Sequence, residues 1–461
     1  MFIDSKDNAW LEYSKSDREE LNSLCDGYMD FLNKGKTERE CLNLAVAMAK
    51  KAGYRDLEEI IRKDARVRPG DKIYASYMGK SIALFNIGNE SFEKGLQILG
   101  AHIDSPRLDI KQKPLFEDGG MVYLNTHYYG GIKKYQWVTL PLALHGVVVK
   151  SDGTSISVNI GEKDTDPVFC ITDLLPHLAS EQMEKRFSKG IEGESLDVLI
   201  GSIPVKTKEK QAVKAAMLKL LKSKYDIEEE DFMSAELEVV PAGKAKSLGL
   251  DESMILGYGQ DDRVCAYTSL AAFFSVPDVD RTAVCLLVDK EEIGSVGATG
   301  MKSKFFENAL AEIMNAAGEY SELALRRCLS HSKMLSSDVS AAFDPLYASV
   351  FDKANSAYFG RGVVFNKYTG ARGKSGSNDC NAEFFAEIRN ILESRNVAYQ
   401  TCELGKVDAG GGGTIAYIMA LYGMEVVDCG VAVLSMHAPW EVTSKSDIYE
   451  ACKAYRAFLS V

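Results

Sequence analysis

Short apolar runs that alternate with helical segments constrain the fold of this chain most. After about residue 247, DDRVCAYTSLAAFF has helical spacing, TAVCLLVD is a continuous apolar run, GTIAYIMALYG is again helical and MEVVDCG is again a short apolar run. Runs that are apolar at almost every position are typical of strands buried on both faces, which occur in sheets covered by helices. The pattern predicts an α/β fold with a mixed, mostly parallel sheet sandwiched by helices.

The length of the chain, 461 residues, exceeds what one hydrophobic core usually spans, so we expect two domains. Residues 113–246 differ from the rest, because β-rich stretches such as VTLPLALHGVVVK precede a charged segment that looks helical. We therefore predict a catalytic domain formed by residues 1–112 and 247–461, interrupted by an inserted β-rich domain of residues 113–246. Before the first strands, residues 16–64 read as helices, and Thr37 to Glu40 resembles a capping box.

Charge and targeting signals exclude several classes of protein. The chain carries 54 basic and 66 acidic residues and no basic run with interleaved aromatic residues, so nucleic acid is not an expected partner. The N-terminal segment MFIDSKDNAWLEYSKSD lacks the apolar core of a signal peptide, and no apolar run reaches membrane-spanning length. We expect a cytoplasmic protein whose ten cysteines are reduced and partly buried.

The first candidate site is the segment GAHIDSP, where an apolar strand ends in a His-x-Asp triplet. His102 and Asp104 are two residues apart, so on a strand both side chains face the same way. This arrangement allows His102 to bind a metal ion while Asp104 orients the ring or a neighbouring ligand.

Two adjacent glutamates form the second candidate site. Glu291 and Glu292 follow the buried strand TAVCLLV, and Gly294 comes directly after them. Neighbouring glutamates are often merely solvated, but the carboxyl end of a strand is where open α/β sheets place their active sites. We assign Glu292 to a metal ion and Glu291 to the general base that takes a proton from the water bound there.

Three further residues have two interpretations each. Asp261 opens a predicted helix, where a helix cap and a bridging metal ligand look identical in sequence. Asp338 follows a probable strand, and His437 lies in SMHAPWE beyond the strand VVDCGVAVL. Each of these residues fits either a structural role or a metal site.

The joint order of these motifs resembles the aspartyl aminopeptidase and aminopeptidase I family of dinuclear zinc metallopeptidases. The matching stretches cover nearly the whole chain: GAHIDSPRL, the D-D-R helix start, DKEEIGS, SSD followed by AFDPLY, GGGGTIAYI and SMHAPWE. The resemblance implies two divalent metal ions per subunit, with zinc favoured over manganese or cobalt. It also implies hydrolysis of the N-terminal residue of short peptides by a water that bridges the ions.

The resemblance implies a role for each candidate residue. His102, Asp261 and Asp338 would hold one ion, while Asp261, Glu292 and His437 would hold the other. Glu291 would be the general base. The inserted domain would be a dimerisation domain in a homo-oligomer, plausibly a dodecamer built from dimers, and His177 would reach a neighbouring subunit's active site and stabilise the oxyanion there.

The preferred substrate stays open. The chain departs from many relatives at VTLPL after GGIKKYQW and in the glycine-rich segment 370–381. Lys367, Arg372 and Lys374 would suit an acidic N-terminal residue, yet basic residues in a loop are usually only solvated, and we expect a neutral or broad preference.

Other functions remain as alternatives. A dinuclear deacylase or carboxypeptidase would use the same ions on another amide, whereas a non-enzymatic scaffold would leave the ordered motifs unexplained. The six histidines form no H-E-x-x-H pair, and the glycine-rich stretches carry neither a P-loop lysine nor the G-x-G-x-x-G spacing, which argues against a single-zinc protease and a nucleotide-binding protein.

Overall fold

The computed structural model describes residues 8–208 and 210–461, so the first seven residues used above to judge the N-terminus lie outside the described residues. The described chain divides into two units. The first consists of the residues through Asp104 together with Ala245–Met436 and Glu441–Val461. The second consists of Ser105–Lys244 and His437–Trp440.

The α-helices are α1 Lys15–Lys34, α2 Glu38–Lys51, α3 Leu57–Arg62, α4 Ser180–Glu184, α5 Ala212–Tyr225, α6 Gln260–Ser275, α7 Phe305–Ala317, α8 Glu322–His331, α9 Ala382–Ser394, α10 Ala416–Ala420 and α11 Lys445–Leu459. The strands are β1 Arg55–Asp56, β2 Lys72–Tyr77, β3 Ser81–Asn86, β4 Gln97–His102, β5 Arg107–Asp118, β6 Met121–Tyr129, β7 Leu142–Val149, β8 Ser155–Ile160, β9 Val198–Gly201, β10 Ala235–Pro241, β11 Lys246–Leu248, β12 Met254–Gly257, β13 Ala283–Val288, β14 Lys333–Ser337, β15 Ser340–Ala341, β16 Val363–Asn366, β17 Tyr399–Thr401, β18 Glu425–Gly430, β19 Ala432–Leu434 and β20 Glu441–Ser444. Short 3-10 helices include Pro176–Leu178 and Glu291–Ile293.

A mixed sheet forms the centre of the first unit. Its strand order is β1-β2-β3-β13-β4-β14-β18-β16-β17. The four middle strands β13, β4, β14 and β18 are parallel to their neighbours within that group, whereas β3 and β16 run antiparallel to β13 and β18. The prediction of a mixed α/β fold is confirmed.

Alternate residues of the middle strands enter two separate cores. Leu99 and Cys285 pack in a core with residues of α1, α6 and α11, while Ile98 and Leu286 pack in another with residues of α7, α8 and α10. Because successive side chains of a strand point to opposite faces, strands that are apolar at every position can bury both faces. This is the physical reason for the continuous apolar runs in the sequence.

Two other sheets complete the described chain. A sheet of order β11-β12-β20-β19-β15 belongs to the first unit. The second unit contains a sheet of order β8-β7-β10-β5-β6-β9, in which every pairing is antiparallel. This unit begins at Ser105 because β5 already pairs with β6 at Arg107 and Tyr129.

Two expectations from the sequence concern cysteines and membranes. All ten cysteines are free thiols, and all except the half-buried Cys170 are buried. Within residues 8–208 and 210–461, none of the helices combines the length and the apolar character needed to cross a membrane.

The capping box at the start of α2 gives a testable prediction. The Thr37 hydroxyl accepts the Glu40 N–H at 3.2 Å, and the Glu40 carboxylate accepts the Thr37 N–H at 3.2 Å. We expect Thr37→Ala to lower the free energy of unfolding by about 1 kcal/mol because an orphan N–H loses its acceptor. Thr37→Ser retains the hydroxyl and should lose much less. Urea unfolding followed by circular dichroism compares the two, and equal losses would contradict this role of the hydroxyl.

Candidate metal centre

The central sheet brings the separate motifs to one edge. Strands β13, β4 and β14 lie side by side and parallel, with Val288 opposite His102 and Ser336 opposite Gly100. The carboxyl ends of these strands therefore meet, as they do at the active sites of other open α/β sheets. Several of the candidate site residues identified from the sequence lie at these strand ends or directly after them.

The imidazole of His102 lies among four carboxylates. Its Nε2 is 3.2 Å from an oxygen of Asp261, 3.8 Å from one of Asp338 and 3.9 Å from one of Glu291. On the other side of the ring, Nδ1 is 3.3 Å from a carboxylate oxygen of Asp104. His102, Asp104 and Asp261 are buried, whereas Asp338 and Glu291 are half-buried.

Asp104 holds the turn that carries the two glutamates. One of its oxygens accepts the Glu291 N–H at 3.1 Å, and the other accepts the Glu292 N–H at 3.2 Å. The turn needs such an acceptor because Lys290 has a φ of 68°, and the N–H groups of the short 3-10 helix that follows have no partner within it. Asp104 thus contacts both the His102 ring and the backbone of neighbouring candidate ligands.

Asp261 does not act as an ordinary helix cap. Gly259 occupies the N-cap position of α6 with a left-handed φ of 70°, and Asp261 itself has φ −81° and ψ 107°, outside the helical region. The N–H groups of Gln260 and Asp261 both point to one carboxylate oxygen of Glu441, at 2.7 and 3.1 Å. The Asp261 side chain is therefore available to face His102.

The arrangement fits a divalent cation. Within the first unit, single ligand atoms from His102, Asp261 and Asp338 lie within 4.8 Å of one another, as do those from His102, Glu291 and Glu292. One imidazole cannot balance the charge of the surrounding carboxylates, and buried charges require compensation. Imidazole nitrogen together with carboxylate oxygen is a donor set that suits zinc.

Burial and mutual repulsion shift the acidic groups toward their protonated forms. Burial raises the pKa of Glu291 to about 8, and the negative charge of Asp338 adds to the effect. Burial also raises the pKa of Asp338. For His102, burial alone lowers the pKa, but hydrogen bonds to Asp104, Asp261 and Asp338 raise it well above its ordinary value. A cation that binds among these groups therefore competes with protons.

The two remaining candidate histidines lie in the second unit. His177 is exposed on the 3-10 helix Pro176–Leu178. His437 is half-buried with a φ of 65°, and its Nδ1 lies 3.0 Å from the carbonyl oxygen of Gly131.

Sequence reasoning missed two buried acidic residues of this region. Glu441 ends the motif SMHAPWE but received no role, although its carboxylate accepts the N–H of Asp261. Asp262 is fully buried, and burial raises its pKa well above the ordinary value, with the charge of Asp338 adding to the effect. Both residues lie in motifs that the sequence analysis names, Glu441 in SMHAPWE and Asp262 in the D-D-R helix start. Their acidic side chains in those motifs were the signal that could have found them.

The raised pKa values predict that zinc affinity increases with pH. Because burial raises the pKa of Glu291 to about 8, the metal-free site keeps its protons at neutral pH, and zinc binding must release them. Apparent affinity should rise by up to about tenfold per pH unit for each proton displaced, from pH ~6 to ~8. Competition with a chelator of known pH dependence measures the apparent zinc affinity at each pH. Glu291→Gln should make this affinity depend less steeply on pH. An affinity that does not change with pH would contradict the expectation.

Comparison with known proteins identifies the family. The model of the family described as aminopeptidase I zinc metalloprotease (M18) matches residues 31–459. A probable M18 family aminopeptidase 1 from Clostridium acetobutylicum is 60% identical over 454 residues, which cover 98% of each chain. The crystal structure of aminopeptidase I from Clostridium acetobutylicum is similar with a TM-score of 0.94 at 55% identity and covers 100% of both chains. The mApe1 dodecamer of S. cerevisiae shares the fold, with a TM-score of 0.76 at 19% identity over 95% of this chain and 97% of that chain. The chain therefore belongs to the M18 aminopeptidase I family of zinc metalloproteases.

Proposed function

We propose that this chain is a metal-dependent aminopeptidase that removes the N-terminal residue of short peptides by using two zinc ions. The observation that carries the proposal is the buried imidazole of His102 facing four carboxylates at the carboxyl ends of the central strands. Membership of a zinc aminopeptidase family supports both the metal and the reaction. A deacylase, a carboxypeptidase and a scaffold are not favoured by the same family membership.

In this proposal the first ion would be held by His102, Asp261 and Asp338, whose ligand atoms lie close together. The second would be held by Asp261, Glu292 and His437. Membership of a zinc metalloprotease family supports this second set of ligands.

When bound, zinc polarises the scissile carbonyl group and makes a water molecule more acidic. Glu291 accepts the proton of the attacking water and passes it to the departing amine. Its buried environment makes it a stronger proton acceptor than an exposed carboxylate, because burial raises its pKa. Asp104 keeps Glu291 in place by accepting its backbone N–H, so the proton acceptor is anchored to the same turn as the ligand Glu292.

A requirement for a free N-terminal amine would follow from the donor chemistry of the site. An unprotonated amine carries a lone pair that could take an open position at the ions, whereas an acetylated N-terminus has none to offer. Such a requirement would make the enzyme an exopeptidase.

The basic residues of the loop near Tyr368 support a neutral or broad preference for the N-terminal side chain. Lys367 and Lys374 lie 3.0 and 3.1 Å from the same carboxylate, that of Asp379. Lys374 is also 3.6 Å from the centre of the Tyr368 ring. Since Asp379 offsets their charge, these lysines attract an acidic substrate side chain only weakly.

We also propose that the inserted domain, predicted as residues 113–246, mediates dimerisation, and that His177 acts in a neighbouring subunit's active site. His177 is surrounded in sequence by exposed apolar side chains: Leu174 at 45%, Leu175 at 49%, Leu178 at 68%, Met183 at 80% and Phe187 at 74% exposure. Exposed apolar residues concentrated in one segment are typical of protein interfaces. The dodecameric assembly of the yeast relative supports a homo-oligomer, which we propose is a dodecamer built from dimers.

A substrate panel tests the proposed reaction. Initial rates are measured for acidic, neutral and basic aminoacyl substrates and for their N-acetylated counterparts, after chelation and after re-addition of zinc, manganese or cobalt. We expect cleavage only of free-amine substrates, only with metal, and fastest for neutral residues. Cleavage of the acetylated substrates would favour a deacylase, and no cleavage with any metal would contradict an enzymatic function.

The adjacent glutamates can be separated by one pair of variants. We expect Glu291→Gln to keep its zinc but to lower kcat by about 10²–10⁴-fold, because the water loses its proton acceptor. Glu292→Gln is the matched control and should lose zinc as well as activity. Metal analysis alongside kinetics distinguishes the two, and loss of zinc in Glu291→Gln with zinc retained in Glu292→Gln would exchange their roles.

A further inference from the structure

A buried glutamate outside the proposed ligand set contacts the backbone of the ligand that the two ions would share. We propose that Glu441 is a positioning residue for Asp261. One of its carboxylate oxygens accepts the N–H groups of Gln260 and Asp261, at 2.7 and 3.1 Å. The inference rests on the proposed function, because it concerns Asp261 as a zinc ligand.

The start of α6 needs an acceptor from elsewhere in the chain. N–H groups at a helix start have no partner within the helix, and a side chain at the N-cap usually accepts one of them. Here the N-cap residue is Gly259, which has no side chain, and Asp261 lies outside the helical region of φ and ψ. Gln260 and Asp261 are 0% and 3% exposed, so water is a poor substitute. The Glu441 carboxylate supplies the missing acceptor.

The position of Glu441 is itself closely defined. It is the first residue of β20 and pairs with Gly257 of β12. Its backbone carbonyl accepts the side-chain amide of Gln260 at 2.6 Å. The carbonyl oxygen of that amide in turn accepts the hydroxyls of Thr443 at 2.5 Å and Tyr28 at 3.2 Å. The helix start is thus fixed to the sheet by both backbone and side-chain hydrogen bonds.

This connection reaches the metal centre through one peptide unit. The Asp261 side chain projects from the backbone that Glu441 holds, and its oxygen lies 3.2 Å from Nε2 of His102. Loss of a hydrogen-bond partner that orients a ligand typically lowers metal affinity by about 10–100-fold. Asp104 holds the turn of Glu291 and Glu292 in the same manner, so both turns are held through backbone N–H groups by a carboxylate.

The buried carboxylate of Asp447 is a matched control that separates a positioning role of Glu441 from a purely structural one. Asp447 is also a buried carboxylate, and it accepts the N–H groups of Gly360 and Gly362 at 3.0 and 2.9 Å. Its removal should destabilise the fold without moving Asp261. If Glu441 were only structural, its removal and that of Asp447 would affect zinc binding alike.

The experiment measures zinc affinity of the full-length protein by competition with a chromophoric chelator, together with the thermal midpoint of each variant. We expect Glu441→Ala and Glu441→Asp to bind zinc about 10–100-fold more weakly. Glu441→Gln keeps an oxygen at the same reach and should bind zinc nearly as the wild type does. Asp447→Ala should lose thermal stability but keep its zinc affinity.

Three outcomes would overturn the inference. Glu441→Ala and Asp447→Ala could weaken zinc binding equally, or Glu441→Ala and Glu441→Asp could leave it unchanged. If Glu441→Ala does not fold, the zinc affinities of Glu441→Asp and Glu441→Gln decide. Weaker zinc binding by Glu441→Gln than by Glu441→Asp would show that the charge of Glu441 matters rather than its hydrogen bonds.

Asp261→Ala serves as the reference variant. If it retains full zinc affinity, the proposed ligand set fails, whereas its loss of zinc beside an unchanged Glu441→Asp variant would defeat the positioning role alone.

Discussion

The buried negative charge around His102 is the constraint on which the rest of the structure depends. Four carboxylates face one imidazole that is 1% exposed. Such a group is unfavourable in a protein interior unless a cation or protons compensate it. Burial raises the pKa values of Glu291 and Asp338, which favours protons as the compensation in the metal-free site. The same feature therefore favours a bound cation and predicts that its binding depends on pH.

Backbone hydrogen bonds hold this charge in position. Asp104 accepts the N–H groups of the turn that carries Glu291 and Glu292, and Glu441 accepts those at the start of α6. In both cases a carboxylate occupies a place where the backbone has no regular partner. This arrangement holds the backbone of the irregular turns, so the side chains of the candidate ligands can face the candidate metal site.

Much of the site could be predicted from the sequence because its residues follow recognisable strands. His102 and Glu292 stand at the ends of apolar runs, and parallel strands bring such ends together. Asp261 was ambiguous, since a helix cap and a ligand look the same in sequence, and only the left-handed Gly259 and the non-helical backbone of Asp261 separate them. Glu441 could not be assigned, because its partner lies 180 residues away and a bond to a backbone N–H leaves no local pattern.

For the fold, local patterns predicted the strands but not all of their neighbours. The apolar run of β13 indicated a buried strand, yet it gave no sign that β13 lies between the antiparallel β3 and the parallel β4. The sheet that joins β12 to β20 was also not foreseen, because its short strands lie far apart in sequence. Pairing of this kind is decided by packing between distant segments rather than by the residues of one strand.

Anomalous scattering can show whether the carboxylates around His102 surround metal ions. Diffraction data collected from zinc-containing crystals on both sides of the zinc absorption edge locate zinc without assuming any ligand. We expect two anomalous peaks per chain, one beside His102, Asp261 and Asp338 and the other beside Asp261 and Glu292. An empty map at His102 from crystals of active enzyme would contradict this expectation.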